Sequence, residues 1–126
     1  MHKLIGIWRL TETRAFDEAG QEVPSPFGPQ PMGTAIFDAE RMMVMGGDGR
    51  TALPPEMKRV FVANSGNYTF DGTKLVTHAD SASSSELLED QVRHIQFDSP
   101  QRMTAVPISR LFGRSGGIEL VWERVG

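Results

Sequence analysis

Turn signals recur along this chain at short intervals, and they limit what it can fold into. Asp38-Ala39-Glu40-Arg41, Gly46-Gly47-Asp48-Gly49, Asp71-Gly72, Asp98-Ser99-Pro100-Gln101 and Gly113-Arg114-Ser115-Gly116-Gly117 are the clearest. Asp71-Gly72 predicts a type I′ hairpin turn, because both central positions of that turn need φ > 0. The runs between the turns suit strands: roughly 4–15, 33–37, 42–45, 67–70, 74–81, 88–97, 103–108 and 118–125. That makes about eight strands in sequential, hairpin-like order, the spacing of an all-β sandwich or barrel. One stretch departs from the pattern. Pro54-Pro55 followed by Glu56, Met57 and Lys58 suits a helix start, so one short helix is predicted within 54–63. The small, polar run SASSSE at 81–86 reads as a strand end or loop.

A length of 126 residues points to one domain over 1–126, large enough for a single core without staples. A net charge of −3 with no run of Lys and Arg argues against nucleic acid, which demands concentrated positive charge. The absence of cysteine excludes disulfides, thiolate metal sites and cysteine nucleophiles. No apolar run approaches the roughly 18 residues of a membrane helix. The start, MHKLIGIWRLTETR, turns charged too early for a secretory signal, so a cytoplasmic protein is expected. Gly46-Gly47-Asp48-Gly49 lacks the Lys-Ser/Thr of a phosphate loop, and no Gly-x-Ser-x-Gly elbow exists. The three histidines lack metal-ligand spacing, so neither cofactor nor metal is expected.

Residues 17–33 form one long connection that holds four of the eight prolines. Such a loop is semi-rigid and cannot be a central strand. Two roles are open to it: a lid over a binding site, or a plain cap on one barrel end.

The first strand, LIGIWRL, carries a tryptophan two residues after a glycine. Strand side chains alternate, so Trp8, Leu10, Glu12 and Arg14 are expected on one face. A closed barrel pairs its last strand with its first, which lets Arg124 of IELVWERVG lie over the Trp8 ring. Gly6 permits close backbone approach there. Gly6-Ile7-Trp8 near the start with an arginine on the final strand resembles the structural signature of lipocalins and the wider calycin group. The order LIGIWRL, PFGPQPMG, GNYTFDGTKLVTH, DQVRHIQF and WERV is similar to short bacterial and fungal lipocalin-like domains over nearly the whole chain. Phe37, where such domains more often carry Tyr, and the small polar run after His78 depart from them. The resemblance implies an all-β, antiparallel up-and-down barrel of about eight strands with an internal pocket, and says little about the ligand.

Alternation places Gln91, Arg93, Ile95 and Phe97 on one face, inward by its apolar pair. With Val76, His78 and Asp80 sharing a face, the expected interior holds Glu12, Arg14, Tyr68, His78, Arg93 and Trp122 among apolar neighbours. Charges inside a barrel must be paired or must bind something charged. An inward Arg suits a carboxylate, and a His can donate, accept and titrate. Binding of a small apolar or amphipathic molecule, carboxylate- or phenol-bearing, is the reading these residues support best. Two alternatives stand beside it. One is a cofactor-independent isomerase, cyclase or dehydratase using His78, Arg93 and Glu12, which requires His78 to point inward. The other is a filled-core interaction module with a large exposed apolar patch. A homodimer through a strand edge or barrel face is compatible with each.

Overall fold

Most of the tight turns are held by a side chain that accepts from its own backbone. The Asp38 carboxylate accepts from the amides of Glu40 (2.9 Å) and Arg41 (2.6 Å). Asp71 does the same for Thr73 and Lys74, and Ser99 for Gln101. These short polar side chains stop one strand and aim the next. In the computed structural model, which describes residues 2–108, 110–111, 114–115 and 117–126, the elements in chain order are Gly6–Phe16 (β1), Glu22–Val23 (β2), Pro31–Phe37 (β3), Arg41–Asp48 (β4), Phe61–Phe70 (β5), Lys74–Ala82 (β6), Ser85–Leu88 (α1), Gln91–Ser99 (β7), Arg102–Pro107 (β8), Arg110–Leu111 (β9), Arg114–Ser115 (β10) and Ile118–Arg124 (β11).

Eight of the strands close into an antiparallel up-and-down barrel, in the order β1, β3, β4, β5, β6, β7, β8, β11, with β11 returning to β1. The short β2 adds to the far end of β1 through Ala15–Val23 and Phe16–Glu22. The turn expected at 113–117 falls partly outside the described residues; its described part contributes β10, which pairs with β9.

Trp8 is fully buried at the closed end, and its indole N–H donates to the Leu4 carbonyl at 2.9 Å. Arg124, opposite it in the β1–β11 register, covers the ring. Gly6 has φ +142°, and a Cβ there would collide with the Arg124 guanidinium. Below the ring, Phe37 and Tyr68 pack edge to face at 5.3 Å, and Phe70 meets Phe97 at 6.3 Å. Aromatic bulk therefore fills this half of the interior.

Three local expectations are corrected. Residues 54–63 form no helix: Glu56 sits at φ 67°, which breaks the helical path, and β5 begins at Phe61. Among the described residues the single short helix is instead α1, capped by the Ser84 hydroxyl accepting from the Leu87 amide and anchored by the burial of Leu87. At Asp71-Gly72 only Gly72 has positive φ, so the turn is not type I′. Asp71 acts through its side chain, and its amide donates to the Lys74 carbonyl at 3.2 Å. Gly46-Gly47-Asp48 belongs to β4 rather than to a turn. A Cβ on Gly46 would come within 3.3 Å of the Phe27 ring, so the missing side chain makes room for Phe27.

Candidate functional site

The other half of the barrel interior is not filled. A cavity of about 80 Å³ lies between the strands there, with walls that include Leu10, Val44, Ile95, Met103 and Trp122. Phe27, 2% exposed, closes it from the proline-rich loop, and Leu87 closes it from α1. The loop is fastened to the barrel. Ser25 and Thr13 share a hydroxyl hydrogen bond of 2.6 Å, and the Gly49 amide donates to the Gln30 carbonyl at 2.7 Å. In this structure the loop is a cap.

Among the described residues three polar side chains interrupt the apolar lining: Asn64 on β5, Thr77 on β6 and Arg93 on β7. Thr77 is 5% exposed, and its hydroxyl has no hydrogen-bond partner. Buried hydroxyls are ordinarily satisfied, so this one keeps unused hydrogen-bonding capacity beside the cavity. Leu75 and Arg93 are cross-strand partners, and Thr77 pairs with Gln91, which sets Thr77 and Arg93 on one inner face.

Among the described residues Arg93 is the one charged residue lining the cavity. Its Nη1 donates to the Gln91 side-chain carbonyl (3.2 Å) and to the Val92 carbonyl (3.3 Å). Among the described residues no hydrogen bond uses its Nε or Nη2, and no carboxylate pairs with it within 4 Å. Although part of the residue is exposed, its guanidinium sits among packed atoms, and loss of water pushes its pKa down to about 10. The charge of Glu86 on α1 opposes that shift. Gln91, 2% exposed, joins the two: its amide donates to the Glu86 (2.8 Å) and Glu89 (3.2 Å) carbonyls while its oxygen holds Arg93. One side chain thus ties the end of α1 to the orientation of the guanidinium.

The six residues expected in the interior separate. Arg93 and Trp122 line the cavity. Tyr68 is buried but in the filled half, where its hydroxyl donates to the Asp38 carbonyl and meets His2 Nε2 at 3.0 Å. Glu12 and Arg14 are corrected to the outer face. A bulge between Leu10 and Glu12 inserts one residue into β1, so the inner face passes from Trp8 and Leu10 to Ala15. Arg14 pairs there with Glu22 at 2.9 Å, and Glu12 lies 3.9 Å from Arg102. His78 is also corrected to the outer face, with Nδ1 2.9 Å from the Asp90 carboxylate at the surface. Leu75 and Thr77, rather than Val76 and His78, are the inward residues of β6.

His78, Arg93 and Glu12 therefore do not converge, and a proton-transfer site built on them is removed. The groups missing from the sequence reading are Thr77, Asn64, Phe27 and Leu87. Thr77 shares a face with the buried Leu75, but in the sequence Val76 gives the opposite face an equal apolar signal. A second groove of about 240 Å³ runs beside β2, but its charged residues, Arg14 and Glu22, already neutralise each other. Among the described residues no group of three or more His, Asp or Glu side chains could hold a metal ion, and no helix is long and apolar enough to cross a membrane.

No family model matches this chain, and no curated protein does. Among solved structures it resembles a redesigned β-barrel, with a TM-score of 0.50 and 12% sequence identity over 98% of this chain and 93% of that one. At that identity the likeness speaks for the barrel fold alone.

Proposed function

We propose that this barrel is lipocalin-like in use: it binds one small amphipathic molecule in its half-empty interior. The observation that carries the reading is the cavity of about 80 Å³, whose wall includes Thr77 with its buried, unpartnered hydroxyl. Small barrels either fill their interior with side chains or hold a ligand, and this one fills only the Trp8 half. The cavity is well below the ~300–1,000 Å³ of sites for drug-sized ligands, so the occupant is compact. Trp122 and Arg93 are the residues assigned to contact it. Native mass spectrometry of freshly purified protein, set against its denatured mass, tests the reading. A reproducible small adduct supports it. A clean mass that stays unshifted after incubation with short aliphatic and aromatic acids and phenols counts against it.

A second reading, association with another copy, is favoured by one feature. Ile7, Ile36 and Met43 are successive cross-strand neighbours on β1, β3 and β4, and they are 40%, 44% and 56% exposed. An uncharged row of this kind suits an isologous contact, where each copy offers the same patch. Light scattering of wild type and Met43→Glu tests it: a dimer that the charge dissolves supports the contact, and a monomer in both sinks it.

A further inference from the structure

We propose that the ligand's head is a single carboxylate, held by Arg93 with Thr77, and that its tail is short. This rests on the binding reading above. The guanidinium is desolvated, has no carboxylate partner among the described residues, and has Nε and Nη2 uncommitted there. A desolvated cation without a counter-ion is costly, and a carboxylate matches the planar fork of its donors. Gln91 already fixes the guanidinium in place, so little order is lost when an acid arrives.

Charge count decides between anions. Among the described residues Arg93 is the one charged residue on the lining, and a monoanion neutralises it. A phosphate dianion would leave a net negative charge among apolar walls, and a neutral ligand would leave Arg93 only the more distant charge of Glu86. The Thr77 hydroxyl can donate to the second carboxylate oxygen or to a substituent beside it. A cavity of about 80 Å³ limits the tail. A volume this far below that of drug-sized sites suits a short chain or a single ring.

The test is an NMR titration of the full chain with pentanoate and benzoate, and with pentanamide and benzamide as uncharged matches, in wild type, Arg93→Gln and Thr77→Val. The acids are expected to bind wild type at least ~10-fold tighter than the amides, with shifts at Thr77, Arg93 and Trp122. Arg93→Gln is expected to bring that ratio to within about 2-fold while the amides still bind. Thr77→Val, nearly isosteric, is expected to weaken the acids about 3- to 10-fold and leave the amides unchanged. Amides equal to acids in wild type, or an acid preference that survives Arg93→Gln, overturns the carboxylate head and leaves the binding reading standing. No binding by any of the four probes, together with a clean native mass, overturns both. Tighter binding of decanoate than of pentanoate overturns the short tail.

Discussion

The guanidinium carbon of Arg124 lies 4.3 Å from the centroid of the Trp8 ring, and its Nη1 donates to the Ile5 carbonyl at 2.7 Å. A second donor reaches the Lys3 carbonyl and a third the Pro100 carbonyl. One side chain thus satisfies three backbone oxygens and covers the largest core residue. Arg124→Ala is expected to lower unfolding stability by about 2–4 kcal/mol, combining the ring contact with lost charge-assisted hydrogen bonds. Arg124→Lys keeps the charge but not the fork, and should fall between. Urea denaturation at neutral pH checks both, and equal stability of all three proteins would refute the assignment.

Arg93 should show the opposite sign. Its folded pKa is lowered to about 10 by burial, so the charged form is held at a cost at neutral pH. Arg93→Met keeps the length and removes the charge. It is expected to stabilise the ligand-free barrel by roughly 1–3 kcal/mol. Thermal unfolding measures this, and a lower Tm for the methionine variant would mean the guanidinium is already well paired.

Leu87 is the cap contributed by α1, and the helix is held by Ser84 at its start and Gln91 beyond its end. Leu87→Ala should cost about 2–4 kcal/mol by opening the buried site. It should also speed ligand entry, a change visible in stopped-flow Trp fluorescence. Ser84→Ala should cost about 0.5–1 kcal/mol through the cap alone. An unchanged entry rate in Leu87→Ala would place the portal elsewhere.

His2 gives the closed end a pH response. Its Nδ1 accepts from the Leu4 amide at 3.2 Å, which leaves Nε2–H to face the Tyr68 oxygen. Burial, then the nearby N-terminal charge, lowers its pKa below 6.5. The unfolded chain therefore takes up the proton first. Stability present above pH 6.5 should decline as pH falls below it, and level off beneath the folded value. His2→Ala should show a smaller drop in Tm between about pH 7 and pH 5 than wild type. Parallel curves for the two proteins would exclude His2 as the source.

The parts legible in the sequence were those where one face of a strand is unmistakably apolar. Ile95 and Phe97 fix the inward face of β7, and Arg93 follows by parity. On β6 both parities carry an aliphatic residue, Leu75 on one and Val76 on the other. Alternation alone does not choose between them, and only the strand register turns Thr77 inward and His78 outward. The β1 bulge leaves no composition signal. Thr11 is an ordinary strand residue, and the shift exists because β11 pairs on both sides of it. The α1 cap becomes meaningful only once Leu87 has a cavity to cover. Turn residues and strand order come from local chemistry, whereas the site depends on register, which is set by pairing across the sheet.

Closure of the barrel has a consequence for how the chain folds. Each of the other seams joins a strand to its next barrel neighbour along the chain, at modest loop-closure cost. The β1–β11 seam instead pairs Trp8 with Arg124, across nearly the full sequence. The entropy of ring closure is concentrated in that one step. The meander of hairpins can assemble progressively from either side. The aromatic half, with its arginine clasp, cannot form until the two ends of the meander meet.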